Sequence, residues 1–201
     1  MQFTIPSRGL LLPAMIIAFG VLGHASGQEA AKAEVKDVKI AAQKTPKFSV
    51  QGVKDKKWRP KTWLEIEVDF EVDLAKAEYA DEVSFKYYIV LESPRDRMRT
   101  LTGEIIHQNI KVKELSHAVA YVSPSTLASQ TGKDGFSDGD VKFWGVELFM
   151  GGQLVGGESS NGKKWWESAQ VPAKVGGLIL NKKKTPFAPL WGDYHADVKA
   201  D

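Results

Sequence analysis

Apolar and acidic residues alternate without a break from Leu64 to Leu74, with acids at the odd-numbered positions. Since successive side chains of a β-strand point to opposite faces, this stretch predicts one long strand with an apolar face and a carboxylate face. An antiparallel sheet suits such a strand, because one face packs on a core while the other meets water. We expect the apolar face to pack with Phe85, Tyr87 and Ile89 of the next predicted strand.

The same two-residue period recurs in shorter stretches, and turn residues separate them. The paired glycines Gly151 and Gly152 indicate a tight hairpin turn between two of these stretches. Ser123 followed by Pro124 is typical of a helix start and predicts one short helix over residues 126–130. Strands are predicted around residues 35–40, 48–52, 64–74, 83–92, 101–112, 118–122, 141–150, 153–156 and 178–180.

Many short strands with at most one helix predict an all-β fold, and the number and alternation of the strands favour an immunoglobulin-like, mostly antiparallel β-sandwich. A closed barrel is the alternative architecture. Because the sequence contains no internal repeat and no interdomain linker, we expect a single domain. That domain should span residues 34–194 and end in a loose C-terminal tail at residues 195–201.

The N-terminal residues have the pattern of a secretory signal peptide. Arg8 precedes an apolar run from Leu10 to Leu22, and Ala25 and Gly27 are small residues at the spacing of a signal-peptidase site. The run is shorter than the roughly twenty residues that a membrane-spanning helix needs. We therefore expect a signal peptide at residues 1–27 and a flexible tether at 28–33, with a retained N-terminal anchor as the alternative.

Composition narrows the function classes further. The 201 residues include no cysteine, which excludes disulfides, zinc–thiolate sites, iron–sulfur clusters and cysteine nucleophiles. The net charge of +2 gives no bulk electrostatic argument for nucleic-acid binding. We expect a secreted, periplasmic or outer-surface protein with no stable membrane span once the signal is cleaved.

The carboxylates of the alternating strand form the first candidate site. Neighbours on the same face are about 7 Å apart, which is too far to share a proton strongly. Ca²⁺ takes carboxylate oxygens, but a flat row does not wrap an ion. Lys86, on the polar face of the next predicted strand, offers cross-strand ion pairs. We therefore expect a solvated face that a basic partner can recognise, formed by Glu65, Glu67, Asp69 and Glu71.

Two basic clusters with tryptophan form the second candidate site. One lies in the loop before the acidic strand, and the other follows the Asn161–Gly162 turn. Exposed tryptophans would stack on sugar rings, whereas buried ones would be ordinary core residues. Basic residues beside them would contact an anionic polysaccharide, a lipid headgroup or an acidic protein surface. The candidate partner surface comprises Lys56, Lys57, Trp58, Arg59, Trp165 and Trp166.

Catalysis has little support in the sequence. Beyond the predicted signal peptide there are three histidines, His107, His117 and His195, and none stands at a metal-ligand spacing. His107 and His117 flank a predicted turn and are candidates to face each other across strands. The Gly-x-Ser-x-Gly, P-loop and Gly-x-Gly-x-x-Gly motifs are missing. We expect a non-enzymatic protein with no catalytic residues, no cofactor and no metal site.

Three motifs, with the signal peptide and the cysteine-free all-β domain, resemble a known family. They are Val146–Gly152, Trp165–Glu167 and Thr185–Trp191. The family is that of secreted immunoglobulin-like proteins encoded with type IV pilus genes in Akkermansia and other Verrucomicrobia. The resemblance covers essentially the whole chain after the signal peptide. It implies a sandwich related to pilus subunit domains, an extracytoplasmic location and a role in pilus-associated assembly or host contact, and it supplies no catalytic residues.

One departure separates the chain from a standard type IV pilin. A pilin has Glu at the fifth residue of a long apolar helix, whereas the fifth residue after Gly9 here is Ala14, and Pro13 interrupts the run. An accessory role therefore fits better than that of a pilin subunit. We expect protein partners in the cell envelope or pilus machinery. The alternative function is a carbohydrate-binding module that uses exposed tryptophans.

Overall fold

The computed structural model describes residues 31–94 and 98–200. The predicted signal peptide and the first half of the predicted tether lie outside these residues. The described part of the chain forms nine strands and one α-helix. The strands are β1 (Lys32–Lys44), β2 (Thr62–Asp73), β3 (Tyr79–Leu91), β4 (Thr100–Lys111), β5 (Ser116–Val122), β6 (Val141–Met150), β7 (Gln153–Ser159), β8 (Lys174–Gly176) and β9 (Ile179–Asn181), and the helix is α1 (Pro124–Thr131).

The strands form two sheets that pack face to face. The four-stranded sheet has the order β1-β2-β5-β9, and the five-stranded sheet has the order β7-β6-β3-β4-β8. The β4–β8 pair is parallel and the other pairs of strands are antiparallel. The prediction of an immunoglobulin-like, mostly antiparallel β-sandwich with one short helix is confirmed. In the described part of the chain, no helix is long and apolar enough to cross a membrane.

The alternating stretch is β2, which lies inside the four-stranded sheet between β1 and β5. Its even-numbered side chains are buried in the core, where the Phe70 ring lies 4.8 Å from the Phe85 ring of the opposite sheet. Tyr87 and Ile89 belong to the same core. The predicted core partners of this strand are therefore confirmed, although they face β2 from across the sandwich.

Local turn and cap signals are also confirmed. The Ser123 hydroxyl accepts a hydrogen bond from the Thr126 amide at 3.3 Å and caps α1, and Gly132 ends the helix in the left-handed region with φ 72°. Gly151 and Gly152 join β6 to β7 with φ values of 55° and 80°. A two-residue hairpin turn needs positive φ at both positions, which glycine adopts without strain.

The predicted strand at residues 48–52 is wrong. These residues belong to the loop between β1 and β2, where Phe48 and Val50 are exposed and no strand in the described part of the chain pairs with them. Alternation describes the side chains of a strand, but a strand also needs a neighbour for its backbone hydrogen bonds.

The predicted boundaries of the domain also need correction. Strand β1 already begins at Lys32, so the last two residues of the predicted tether belong to the sheet. The tail after Tyr194 is not loose in its described part, since the Ala196 amide donates to the His117 carbonyl at 2.8 Å. The Lys199 amide donates to the Ile106 carbonyl at 2.9 Å. Its backbone is therefore bonded to both sheets.

Candidate functional site

The carboxylate row (Glu65, Glu67, Asp69 and Glu71) lies on the outer face of the four-stranded sheet. A covering segment, residues 182–199, runs over its middle, where Phe187 is buried and stacks on Tyr121 of β5 at 4.6 Å. Glu65 and Asp69 are only 7% and 8% exposed. The expected solvated face is therefore wrong for Glu65 and Asp69, whereas Glu71 at the other end of the row remains half-exposed.

The cation that neutralises the row comes from β1. The Lys39 ammonium lies 3.0 Å from Glu67 Oε1 and 2.7 Å from Asp69 Oδ2. The expected partner, Lys86, is on β3 in the other sheet, where its Nζ lies 4.4 Å from the centre of the Phe149 ring. A lysine on β3 cannot reach the row, because β2 pairs with β1 and β5 instead.

Aromatic and histidine side chains complete the network around the row. His117 Nδ1 donates to Asp69 Oδ1 at 2.7 Å, and the His117 ring stacks on Tyr194 at 4.1 Å. The Tyr194 hydroxyl and His195 Nε2 both donate to Glu67, each at 3.2 Å. These contacts connect the covering segment to β2 and β5 through polar groups as well as through Phe187.

The hydrogen bonds of the network control its ionisation. Burial raises the pKa of Glu67 and Asp69 and is the largest single influence on each, but the hydrogen bonds and charges of Lys39 and the neighbouring histidine together outweigh it, so the pKa of each carboxyl is below its usual value. The hydrogen bond to Asp69 is the main cause that raises the pKa of Lys39. Burial lowers the pKa of His195 in spite of its hydrogen bond to Glu67. At neutral pH the middle of the row is therefore ionised and internally paired, beside a neutral His195.

The same cluster contains the donor set of a cation site. Glu67, Asp69 and His117 each offer one ligand atom within 4.8 Å of the others. Carboxylate and imidazole are ligands that divalent transition metals accept. However, the Lys39 ammonium already bonds both carboxylates, and a metal ion would have to displace it. The arrangement therefore acts as an internal charge network that fixes the covering segment.

His107 and His117 do not face each other. His107 lies on β4 in the five-stranded sheet, with its ring buried 5.2 Å from the Phe85 ring, whereas His117 lies on β5 in the other sheet. His107 Nδ1 donates to the Ala196 carbonyl at 3.2 Å. It thus holds the C-terminal segment from the inside of the sandwich.

The tryptophan pair Trp165–Trp166 is packed against the five-stranded sheet. Trp166 is 4% exposed and stacks on Tyr88 at 4.7 Å. It covers Gly145, where a Cβ atom would lie 2.1 Å from the Trp166 ring. Trp165 is half-buried, and its Nε1 donates to the Trp144 carbonyl at 3.2 Å. Trp166 therefore has no free face for stacking on a sugar.

The remaining candidate residues, Lys56, Lys57, Trp58 and Arg59, are all exposed. They lie in the β1–β2 loop (residues 45–61), whose base is closed by the Thr45 amide donating to the Lys61 carbonyl at 2.9 Å. In the described part of the chain, no ion pair joins the loop to the carboxylate row. The sequence-predicted residues therefore occupy three separate places on the fold.

The outer face of the five-stranded sheet has a different character. Trp165 and Trp166 cover one part of it, and beyond them lies the open face (Ser84, Lys86, Glu104, Ile106 and Phe149). The Ser84 hydroxyl donates to the Glu104 carboxylate at 2.5 Å. These five side chains line a shallow groove together with the Gly151–Gly152 turn.

Sequence reasoning missed the side chains that neutralise and cover the carboxylate row. The burial of Phe187 shows that the C-terminal segment docks on the body. The face on which it docks had no signal, because the contacts join residues far apart in the sequence. The missed residues are Lys39, His117, Tyr121, Tyr194 and His195.

Comparisons with known proteins add a family and a fold. A protein-family model matches residues 24–201. A crystal structure of a protein from Akkermansia muciniphila matches the chain with a TM-score of 0.74 and 29% sequence identity. The match covers 86% of this chain and 95% of that protein. No curated protein matches the sequence significantly.

Proposed function

The chain belongs to the protein family whose model matches residues 24–201, and we propose that it is a non-enzymatic protein of the cell envelope that binds other proteins. Its setting would be the assembly of a type IV pilus-like structure or contact with a host surface. Three observations support this proposal: the family membership, the likeness to the Akkermansia protein, and the signal-peptide pattern at residues 1–27.

The single observation that carries the binding role is the open face. It combines an aromatic side chain, Phe149, an aliphatic side chain, Ile106, and charges of both signs from Lys86 and Glu104. Protein interfaces have this mixture of apolar contacts and hydrogen-bonding groups. Strands β3, β4 and β6 are hydrogen-bonded neighbours, so the face is rigid before binding. A rigid surface loses little conformational entropy when a partner binds.

The carboxylate row is a weaker candidate for the same role. Its central carboxylates already have partners on β1, on β5 and in the covering segment. A basic protein would have to replace those bonds before it gained new ones, whereas the open face keeps its groups at the surface. Of the three tryptophans predicted to bind carbohydrate, only Trp58 and the half-buried Trp165 keep exposed surface, because Trp166 is buried.

The test is affinity capture from native envelope fractions, with the chain from Gln28 onward as bait. We expect it to recover a pilus or envelope protein, and we expect Lys86→Glu to reduce recovery at least tenfold. The matched control is Lys76→Glu, the same charge change in the exposed turn between β2 and β3. Equal recovery with both variants would contradict the open face as the contact. A glycan array with nanomolar binding would contradict protein binding as the main function.

A further inference from the structure

More large apolar side chains are exposed in the β1–β2 loop than in any other short stretch of the described chain. Phe48, Val50, Val53 and Trp58 are 52%, 59%, 65% and 48% exposed. None of the four joins either of the apolar clusters that the described residues form. The four side chains line one shared concave surface of the loop, and a contiguous group of exposed apolar side chains is typical of an interaction site.

The loop is also strongly basic. It contains five lysines and one arginine against the single acid Asp55, which leaves a net charge of +5. All six basic side chains are exposed, and none of them forms an ion pair with another described residue. The contrast with Lys39 is direct, because that lysine is bound to two carboxylates of its own sheet.

The base of the loop is fixed although its tip has no regular structure. Thr45 and Lys61 are joined by a backbone hydrogen bond, and Trp63 Nε1 donates to the Thr45 hydroxyl at 3.1 Å. Two long strands, β1 and β2, lead to this base. The loop therefore projects from the end of a stiff hairpin and can reach a surface without a change in the sandwich.

We propose that the β1–β2 loop docks on a bilayer surface rich in anionic phospholipids. Basic residues next to apolar and aromatic ones are typical of segments that lie at such a surface, where the cations attract headgroup phosphates and the apolar side chains enter the acyl boundary. Trp58 is flanked by Lys57 and Arg59, and tryptophan is the residue that prefers the headgroup level.

The choice of a membrane over an acidic protein follows from the kind of cation. Protein interfaces are depleted in lysine and enriched in arginine. The loop has five lysines and one arginine. Lysine is equally effective at a lipid surface, where each basic residue strengthens binding about fivefold. Because unpaired backbone groups are not tolerated in hydrocarbon, only the side chains of the loop would pass below the headgroups.

The test is co-sedimentation of the chain from Gln28 onward with protein-free vesicles. This piece contains every strand of both sheets, since β1 begins at Lys32. The vesicles contain either phosphatidylcholine alone or phosphatidylcholine with 30% phosphatidylglycerol, at low and at physiological salt. We expect binding to the anionic vesicles that weakens with salt, and little binding to phosphatidylcholine alone. A blue shift of Trp fluorescence on binding should disappear in Trp58→Phe.

Matched variants separate the loop from general charge effects. The double variant Lys56→Glu/Lys57→Glu should weaken vesicle binding at least tenfold, and Phe48→Ser/Trp58→Ser should weaken it at constant net charge. The control Lys76→Glu/Lys142→Glu makes the same change of charge at two other exposed positions and should bind within twofold of the parent chain.

Equal binding to neutral and anionic vesicles would overturn the proposal, and so would equal losses of binding in the loop and control variants. Polyglutamate represents an acidic protein partner, so its capture by a chain that does not bind vesicles would also overturn the proposal. The variant Lys86→Glu should bind vesicles normally, because the open face is not part of the loop. Loss of partner capture in that variant therefore tests the proposed protein contact separately from the lipid contact.

Discussion

The β1–β2 loop and the carboxylate row are adjacent in the sequence, but the row has its counter-charge within the protein and the loop does not. The row has its cation at 2.7 Å, and its central members are covered by a docked segment. The loop has six cations without ion pairs in the described part of the chain, and its apolar side chains stay in water. Charged stretches that look equally suited to binding in the sequence thus have different roles in the fold.

The difference arises from the position of each stretch relative to neighbouring strands. A strand inside a sheet has neighbours on both sides, and their side chains supply counter-charges at fixed positions. A loop between two strands has no such neighbours, so its charges remain available to other molecules. We therefore assign the row to stability and the loop to binding. The predictions below test this assignment in order of expected effect.

The largest effect should come from the anchor of the covering segment. Phe187→Ala removes a buried ring that contacts Tyr121 and Trp63, and it should lower the free energy of unfolding by about 3–5 kcal/mol. Phe48→Ala, the matched change in the loop, should cost less than about 0.5 kcal/mol. Urea unfolding followed by circular dichroism measures both. A similar fall in the free energy of unfolding of both variants would mean that Phe48 is packed against the body as Phe187 is.

The second-largest effect should be a loss of folding stability in acid. Burial lowers the pKa of His107 to about 4, while the unfolded chain titrates near its ordinary value. The unfolded state therefore binds the proton first, and stability is fully present above about pH 6.5 and falls as the pH drops toward 4. The shift corresponds to roughly 3 kcal/mol, and the lowered pKa of His195 acts in the same direction.

Unfolding curves between pH 4 and pH 8 check this dependence. The variant His107→Phe keeps a ring in the core but cannot titrate, so the fall between pH 7 and pH 4 should become shallower. Below that window, Glu67 and Asp69 should take over, because a lowered carboxyl pKa gives stability that is lost on protonation. An unchanged slope in His107→Phe would exclude the buried imidazole as the cause.

The smallest effect should come from the lysine that bridges the row. Lys39→Met leaves two largely covered carboxylates without their cation and should cost about 2 kcal/mol, between the values for exposed and buried ion pairs. Lys56→Met, the same change in the loop, should leave stability within about 0.5 kcal/mol of the parent. Thermal and urea unfolding provide the comparison. Equal stability of the two variants would show that the row does not depend on Lys39.

The features predictable from the sequence were those that depend on near neighbours. The period of β2 predicted a strand and its buried face, Ser123 predicted the start of α1, and Gly151–Gly152 predicted the β6–β7 turn. Each signal acts within a few residues, so no knowledge of the rest of the chain was needed. The same reasoning failed at residues 48–52, because alternation does not indicate whether a partner strand is present.

The network around the carboxylate row depended on long-range pairing. Lys39 meets Glu67 across 28 residues of sequence, and Tyr194 meets it across 127. From the sequence we expected Lys86 to supply the counter-charge, since the next long strand is often the next neighbour in a sheet. The chain instead crosses to the other sheet after β2, and no local pattern records that crossing. The exposure of the loop, by contrast, agreed with its composition.

Hydrogen–deuterium exchange in the presence of anionic vesicles compares the loop and the row in one experiment. The account predicts slower exchange within residues 45–61 when phosphatidylglycerol vesicles are added, and no change within residues 64–74. In the Lys56→Glu/Lys57→Glu variant, exchange within residues 45–61 should stay as fast with the vesicles as without them. Protection centred on residues 64–74, or an unaltered loop in the parent chain, would contradict the claim that the row serves stability and the loop serves binding.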